Sequence, residues 1–279
     1  MKQIKIPKAR GEYRIVYSPS KRERRALLAV LPELNAIAER VDVHGVAHAF
    51  RRGRNCVTNA IVHRGRAYTL TMDLRGWFDS VRRDQLASLV PAHILDIILV
   101  DGAPRQGLPT SPAACNIAAA EMDRQIVAAL AGRGVYTRYA DDLAVSADDL
   151  TVIHEMRAKI EQIVAGMGWQ IHPGKTHLQA AGAGRRNITG IAVDDTVHAT
   201  RKTRRAVRAA EHRARRGGVL AARRAAGLRE WAACRLPAGC RRAFVSTPSS
   251  NQNQTSEPTT TATGVRRRIM IGGQHGQTP

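Results

Sequence analysis

Asp73, Asp141 and Asp142 are the residues of this chain best suited to chemistry. A carboxylate offers the hard oxygen ligand that Mg²⁺ and similar divalent cations take. Phosphoryl or nucleotidyl transfer asks little covalent work of a protein. It needs two cations held about 3.5–4 Å apart, to activate an attacking hydroxyl and stabilise a leaving pyrophosphate. Adjacent aspartates in a turn are most often plain turn formers, because their side chains bond nearby backbone. Asp141 and Asp142 differ in being flanked on both sides by strand-like apolar residues, with Asp73 ending another such run, so three acids can converge on one cleft.

The elements that must position these acids can be read from periodicity. Tyr68, Leu70 and Met72 alternate with Thr69, Thr71 and Asp73, which predicts a half-buried strand whose polar face ends in a carboxylate. Val135 to Ala140 and Leu143 to Ser146 read as two short strands, placing the acidic pair on a hairpin tip. A helix is expected after Thr110-Ser111-Pro112, capped by Ser111, carrying Ile117, Met122, Ile126 and Leu130, and stopped by Gly132. Another passes through Val152, Met156, Ile160 and Ile163 to Gly166-Met167-Gly168. Upstream, an extended Arg14-Ile15-Val16-Tyr17 leads through Ser18-Pro19-Ser20 into a helix with Leu27, Leu28, Leu31 and Leu34. The fold class is α+β.

Charge points to the partner. The 279 residues carry 44 Lys and Arg against 23 Asp and Glu, a formal net charge of +21, the footprint of a polyanion binder. No apolar run approaches the roughly 20 residues of a spanning helix, so membrane insertion is not expected and a cytoplasmic protein is. Cys56, Cys115, Cys234 and Cys240 form no metal-finger pattern and read as free thiols. Beyond Ala199 the chain is Arg- and Ala-rich with helical propensity, and from Ser246 to Gly264 it is too polar to bury a core.

Three motifs in order carry a resemblance. Tyr139-Ala140-Asp141-Asp142 resembles the active-site motif of reverse transcriptases, and Asp73-Leu74-Arg75-Gly76-Trp77-Phe78-Asp79-Ser80-Val81 their preceding metal-binding segment. Gln106-Gly107-Leu108-Pro109-Thr110-Ser111-Pro112, with Asn116 and Asp123 behind it, is similar to their template- and nucleotide-binding loop and helix. Within the family, Asn59-Ala60-Ile61-Val62-His63 and Thr137 to Leu143 resemble the bacterial retron branch. The chain departs from that branch in Ile188-Thr189-Gly190, where V-T-G is usual, in Arg105 where a proline precedes the glutamine, and in a short stretch from Val81 to Gly102.

The resemblance implies a right-hand polymerase: fingers over residues 1–66, a palm with an antiparallel sheet and packed helices over 67–195, a short basic helical thumb over 196–245, and a disordered tail over 246–279. It implies two Mg²⁺ ions on Asp73, Asp141 and Asp142, with deoxynucleoside triphosphates as substrates. Phe78 stands where an aromatic gate meets the ribose 2′-hydroxyl. Gln106 and the backbone at Gly107 stand against the template base and incoming nucleotide, where glycine permits close approach. Arg14 matches the fingers arginine that meets the triphosphate, and Lys175 the lysine that protonates pyrophosphate. The implied partners are a structured RNA that serves as template and primer, the DNA product and a retron effector protein acting in anti-phage defence. Two further readings stay open on the residues: a mobile-intron or unclassified bacterial reverse transcriptase, and a catalytically silent RNA-binding protein on the same scaffold.

Overall fold

The computed structural model of the protein describes residues 1–7 and 13–236. Cys240, residues 237–245 of the basic region and the polar segment 246–279 lie outside the described residues. The chain begins with an antiparallel pair, β1 (Lys2–Pro7) and β2 (Tyr13–Ser18), and continues into α1 (Lys21–Val41). Ser20 starts α1 with a capping box: its Oγ accepts from Glu23 N at 3.3 Å, and the Glu23 carboxylate accepts from Ser20 N at 2.7 Å. There follow α2 (Cys56–Ile61), β3 (Tyr68–Asp73) and three short helices, α3 (Trp77–Ser80), α4 (Asp84–Ala87) and α5 (Ala92–Ile98). Next come α6 (Ser111–Leu130), β4 (Val135–Tyr139), β5 (Asp142–Ala147), α7 (Leu150–Gly166) and β6 (His177–Ala180). A small sheet of β7 (Arg186–Ile188), β8 (Ile191–Val193) and β9 (Val197–Ala199) leads into α8 (Arg201–Ala214) and α9 (Val219–Ala232), which pack on each other.

The central sheet runs β4-β5-β3-β6, antiparallel throughout. Its two faces are sorted by the period-2 pattern of β5. Leu143, Val145 and Ala147 join the main core with Leu70 and Met72 of β3 and the apolar residues of α6 and α7, among them Ile117, Met122, Ile126, Met156 and Ile160. Ala144 joins a second cluster with Val57 and Ala60 of α2 and Ile188, Ile191 and Val193. Each fully buried aliphatic side chain contributes about 1.5–3 kcal/mol.

β3 departs from the sequence expectation. Its polar face is buried at Thr69, which Arg186 of β7 covers, whereas Thr71 is only half-buried. Thr69 is fully buried and shares a 2.7 Å hydrogen bond with Ser146. Buried hydroxyls persist there because partners satisfy them. The start of α6 differs too. Thr110, not Ser111, precedes the helix, in helical rather than extended geometry and without a side-chain cap bond. Ser111 is already in the helix, and its Oγ donates to Arg105 O at 2.7 Å, bracing the preceding loop. The end is as expected: Ala131 and Gly132 both turn to positive φ. Among the described residues, no helix is long and apolar enough to cross a membrane, and Cys56, Cys115 and Cys234 are free.

Candidate active site

Strand register assembles the acids. Asp73, last in β3, lies directly opposite Asp142, first in β5, and Asp142 opposite Tyr139, last in β4. The hairpin turn is therefore the two residues Ala140 and Asp141, one position earlier than the expected Asp141-Asp142 tip. Leu74 N donates to Asp141 O at 2.9 Å, tying the turn to the chain just past Asp73. One carboxylate oxygen from each aspartate lies within 4.8 Å of the others. A slip of one residue between β3 and β5 would send Asp73 to the opposite face, so the hydrophobic pattern that sets the register also sets the site.

Crowding of like charge shows in the titration behaviour. Asp142 is pushed up to about 6 by burial and then by the Asp141 and Asp73 carboxylates. Asp141 is raised as well, by burial first and by Asp73, while Lys175 and Arg14 pull it back down. The Lys175 ammonium, at the end of a 3₁₀ turn over Pro173–Lys175, donates to Asp73 Oδ2 at 2.8 Å. That hydrogen bond is the first reason why Lys175 holds its proton more tightly than an ordinary lysine. Hard oxygen donors that converge and repel one another fit divalent cations, which would neutralise what the protein leaves uncompensated. Beside the acids an open groove of about 670 Å³ runs past Tyr139, Lys175, His177, Asn187 and Thr189.

The other residues singled out from sequence fall around this centre. Phe78 is half-buried on α3, just beyond Asp73, and packs on the main core next to buried Trp77. Arg14 is exposed on β2, close enough to Asp141 to lower its carboxyl. Gln106 O accepts from Tyr17 N at 2.7 Å. Gly107 has φ +99, and a Cβ there would lie 2.3 Å from Tyr17 O. The backbone that this glycine approaches is thus β2, which the 106–107 loop fastens to the segment leading into α6. Arg105 completes the fastening: it bonds Asp79 at 3.0 Å and lies over the Tyr17 ring at 5.9 Å.

Asn59 and His63 are both fully buried, and their setting is architectural. The His63 ring bridges Ser146 Oγ (2.8 Å) and Thr137 Oγ1 (2.7 Å), bolting the segment after α2 to both strands of the β4–β5 hairpin. Asn59 Nδ2 donates to Thr189 Oγ1 at 3.5 Å. Asn116 and Asp123 lie in the interior. Asp123 accepts from Arg138 at 2.8–3.0 Å and from Tyr136 OH at 2.7 Å, and Asn116 Oδ1 accepts from Arg138 Nη1 at 2.9 Å. Arg138 and Arg186 were not singled out from sequence. Arg186 Nη1 donates to His63 O at 2.8 Å and to Thr69 Oγ1 at 3.1 Å, completing the buried network. An acid on the apolar stripe of a helix (Met122, Asp123, Ile126) and an arginine inside a short strand were the signals that could have found the Asp123–Arg138 pair.

Residues 196–245 are the stretch expected to form a thumb. Trp231 lies against Gly190, where an added Cβ would sit 3.5 Å from its ring, and Leu236 packs on the second cluster. Arg201, Lys202, Arg204, Arg205 and Arg208 of α8 are exposed.

Three comparisons bear on this arrangement. The family described as reverse transcriptase (RNA-dependent DNA polymerase) matches residues 6–208. The Retron Mx65 reverse transcriptase of Myxococcus xanthus is 32% identical over 251 residues, covering 79% of this chain and 57% of that protein. The Retron Mx162 reverse transcriptase of the same organism is 28% identical over 257 residues, covering 76% and 52%. The chain thus spans a little over half the length of these curated relatives. Among solved structures, an apo telomerase from Candida tropicalis, truncated from its C-terminal domain, matches with a TM-score of 0.55 over 71% of this chain and 54% of that one, at 13% identity. That likeness shows a right-hand polymerase fold. With that fold, the strand-end acids at its centre and a family match over most of its length, the chain belongs to the reverse transcriptase family.

Proposed function

We propose that the protein is an RNA-directed DNA polymerase of retron type, which extends a primer on a dedicated structured RNA and leaves single-stranded DNA joined to that RNA. The observation that carries this reading is the β3–β5 register, which brings Asp73, Asp141 and Asp142 within 4.8 Å beside an open groove in a chain of net charge +21. The retron assignment is supported by the relatives above and by the Asn59 to His63 segment; Ile188 to Gly190, which Asn59 meets through Thr189, departs from the usual retron pattern. We assign residues 1–66 to fingers, 67–195 to palm and 196–245 to a thumb whose exposed α8 arginines meet phosphates.

Two Mg²⁺ ions held by Asp73, Asp141 and Asp142 would supply activation of the primer hydroxyl and stabilisation of the leaving pyrophosphate. The protein's own groups do the rest. Arg14, on β2 and within electrostatic reach of Asp141, would grip the triphosphate of an incoming deoxynucleotide. Phe78 closes the floor under the sugar, leaving no room for a 2′-hydroxyl. Gln106 and Gly107 hold β2 in place over the site. Lys175, protonated at neutral pH and within reach of Asp73, is placed to pass its proton to a pyrophosphate oxygen as the P–O bond breaks. The free thiols suit a reducing compartment such as the cytoplasm. A retron effector is a further partner that this assignment implies.

Primer extension on an RNA template tests the site. Asp141→Asn and Asp73→Asn should each slow it by at least about a thousandfold, since a metal clamp supplies several kcal/mol and each 1.36 is tenfold. RNA affinity should be unchanged; normal extension by both variants would overturn the assignment. For the retron step, protein expressed with its native flanking DNA should retain one structured RNA with DNA joined to it, at salt high enough to strip non-specific phosphate contacts. An arbitrary mixture of cellular RNA with no attached DNA would leave polymerase activity standing and remove the retron reading.

A further inference from the structure

The buried side of the catalytic hairpin holds a charged device whose energetics do not suit a purely stabilising role. Arg138 is 1% exposed. Its guanidinium makes three bonds of 2.8–3.0 Å to Asp123. Desolvating such a pair offsets most of its attraction, so a buried pair of this kind is weak support for stability and better suited to setting geometry. What it sets is legible in the remaining contacts. Arg138 Nη1 donates to Asn116 Oδ1 at 2.9 Å and also to Ala140 O at 3.2 Å. Ala140 has φ +58, a left-handed conformation that a residue with a Cβ adopts only when its surroundings impose it. It is also the first residue of the two-residue turn that carries Asp141. The opposite face of the guanidinium lies 5.0 Å from the Trp77 ring, on the segment that follows Asp73. One side chain thus touches both halves of the acid cluster from behind: the turn presenting Asp141 and Asp142, and the helix next to Asp73.

We infer that Arg138 is the positioning residue of the metal-binding turn, which through its bond to the Ala140 carbonyl and its stack on Trp77 sets the spacing of Asp141 and Asp142 relative to Asp73. This rests on the polymerase reading of the same site. Lysine cannot replace it, because a single ammonium lacks the planar fork that serves Asp123, Asn116 and Ala140 together. The strand itself does not depend on the side chain. Arg138 N donates to Val46 O at 2.9 Å and His48 N to Arg138 O at 2.8 Å, and these backbone bonds hold β4 whatever residue stands there.

The test is Mn²⁺ binding, followed by electron paramagnetic resonance on protein loaded with a chain-terminated primer on RNA template and a deoxynucleotide, together with the Mg²⁺ dependence of primer extension. Arg138→Lys should weaken Mn²⁺ binding about tenfold or more, the usual scale for groups that orient metal ligands. It should raise the Mg²⁺ needed for half-maximal extension by a similar factor, and leave the deoxynucleotide KM at saturating Mg²⁺ unchanged. Asn116→Ala, which spares the Asp123 pair, should shift both readouts in the same direction by less, and it serves alone if Arg138→Lys does not fold. Ile126→Val, a core change on α6, should lower Tm without moving either readout. Wild-type Mn²⁺ affinity and Mg²⁺ dependence in whichever Arg138 and Asn116 variants fold would overturn the inference and leave the polymerase reading intact. Wild-type protein that neither binds Mn²⁺ nor extends a primer would overturn both.

Discussion

The molecule contains two antiparallel hairpins of similar strand length and opposite circumstances. β4–β5 belongs to a four-stranded sheet and is mostly buried; its Thr137, Arg138 and Ser146 are each at most 1% exposed. β1–β2 is a sheet of two strands, with Ile4, Ile6 and Ile15 more than 40% exposed and Tyr13 62% exposed. An isolated two-stranded hairpin is marginal in water, and β2 is fastened through Tyr17 to the 106–107 loop and to Arg105. The contrast separates two tasks. Ligands for cations must be held to fractions of an ångström, so they sit where packing and buried hydrogen bonds leave no freedom. A surface that grips and releases a nucleotide and a moving template is served by an element of low local stability.

The contrast can be sharpened by pH. Burial, helped by neighbouring positive groups, lowers both His63 and His48 from 6.5 to about 3. Both stay neutral in the folded protein while the unfolded chain takes up protons below 6.5. Their contribution is therefore present above pH 6.5 and lost as pH falls towards 3, by up to about 1.4 kcal/mol per pH unit for each histidine. Asp142 has the opposite sign: raised from 3.8 to about 6, it disfavours folding above that range and relents as pH falls through 6. Urea unfolding between pH 7 and 4 should show falling stability. His63→Gln should flatten the slope by one proton and Asp142→Asn should steepen it. A slope unchanged by His63→Gln would mean that the network around β4–β5 is not the rigid support described.

The attachment of the other hairpin can be broken at one atom. Gly107→Ala puts a methyl group against Tyr17 O at a φ that costs a non-glycine residue about 1–3 kcal/mol. The KM for all four deoxynucleotides should rise about tenfold as β2 and Arg14 shift, with Mn²⁺ affinity unmoved. An unchanged KM would show that β2 does not meet the nucleotide. A more selective effect is expected on the rigid side. Phe78→Ala should raise ribonucleotide incorporation about tenfold or more, the scale for opening an apolar pocket, with deoxynucleotide KM little altered. Unchanged sugar discrimination in single-nucleotide incorporation would remove the gate from Phe78.

Much of this protein was legible without its structure because the signals are local. Alternation in Tyr68 to Asp73 and in Leu143 to Ser146 is a property of a few neighbouring residues, and so is the Ser20–Glu23 cap. The aspartates could be picked out because the segments around them, Asp73 to Val81, Gln106 to Pro112 and Tyr139 to Asp142, stand in the order of a known family; an adjacent pair in a turn by itself reads as a turn former. Other features depend on residues far apart in sequence. The sequence contains both Thr69 and Arg186, but only the fold brings them to 3.1 Å, turning an apparent solvent face of β3 into a partly buried one. Gly107 reads as room for a ligand, and the structure uses it for β2. His63 reads as one of a pair on a helix, although α2 ends at Ile61 and the ring spans two strands. Asp123 and Arg138 are separated by a helix end and a turn, and no local pattern says that they will share a core. The kinds of residue that act here follow from their own chemistry. Where they act, and what holds them, is set by long-range strand register and burial, because charges and hydroxyls can enter a core only where the tertiary fold supplies their partners.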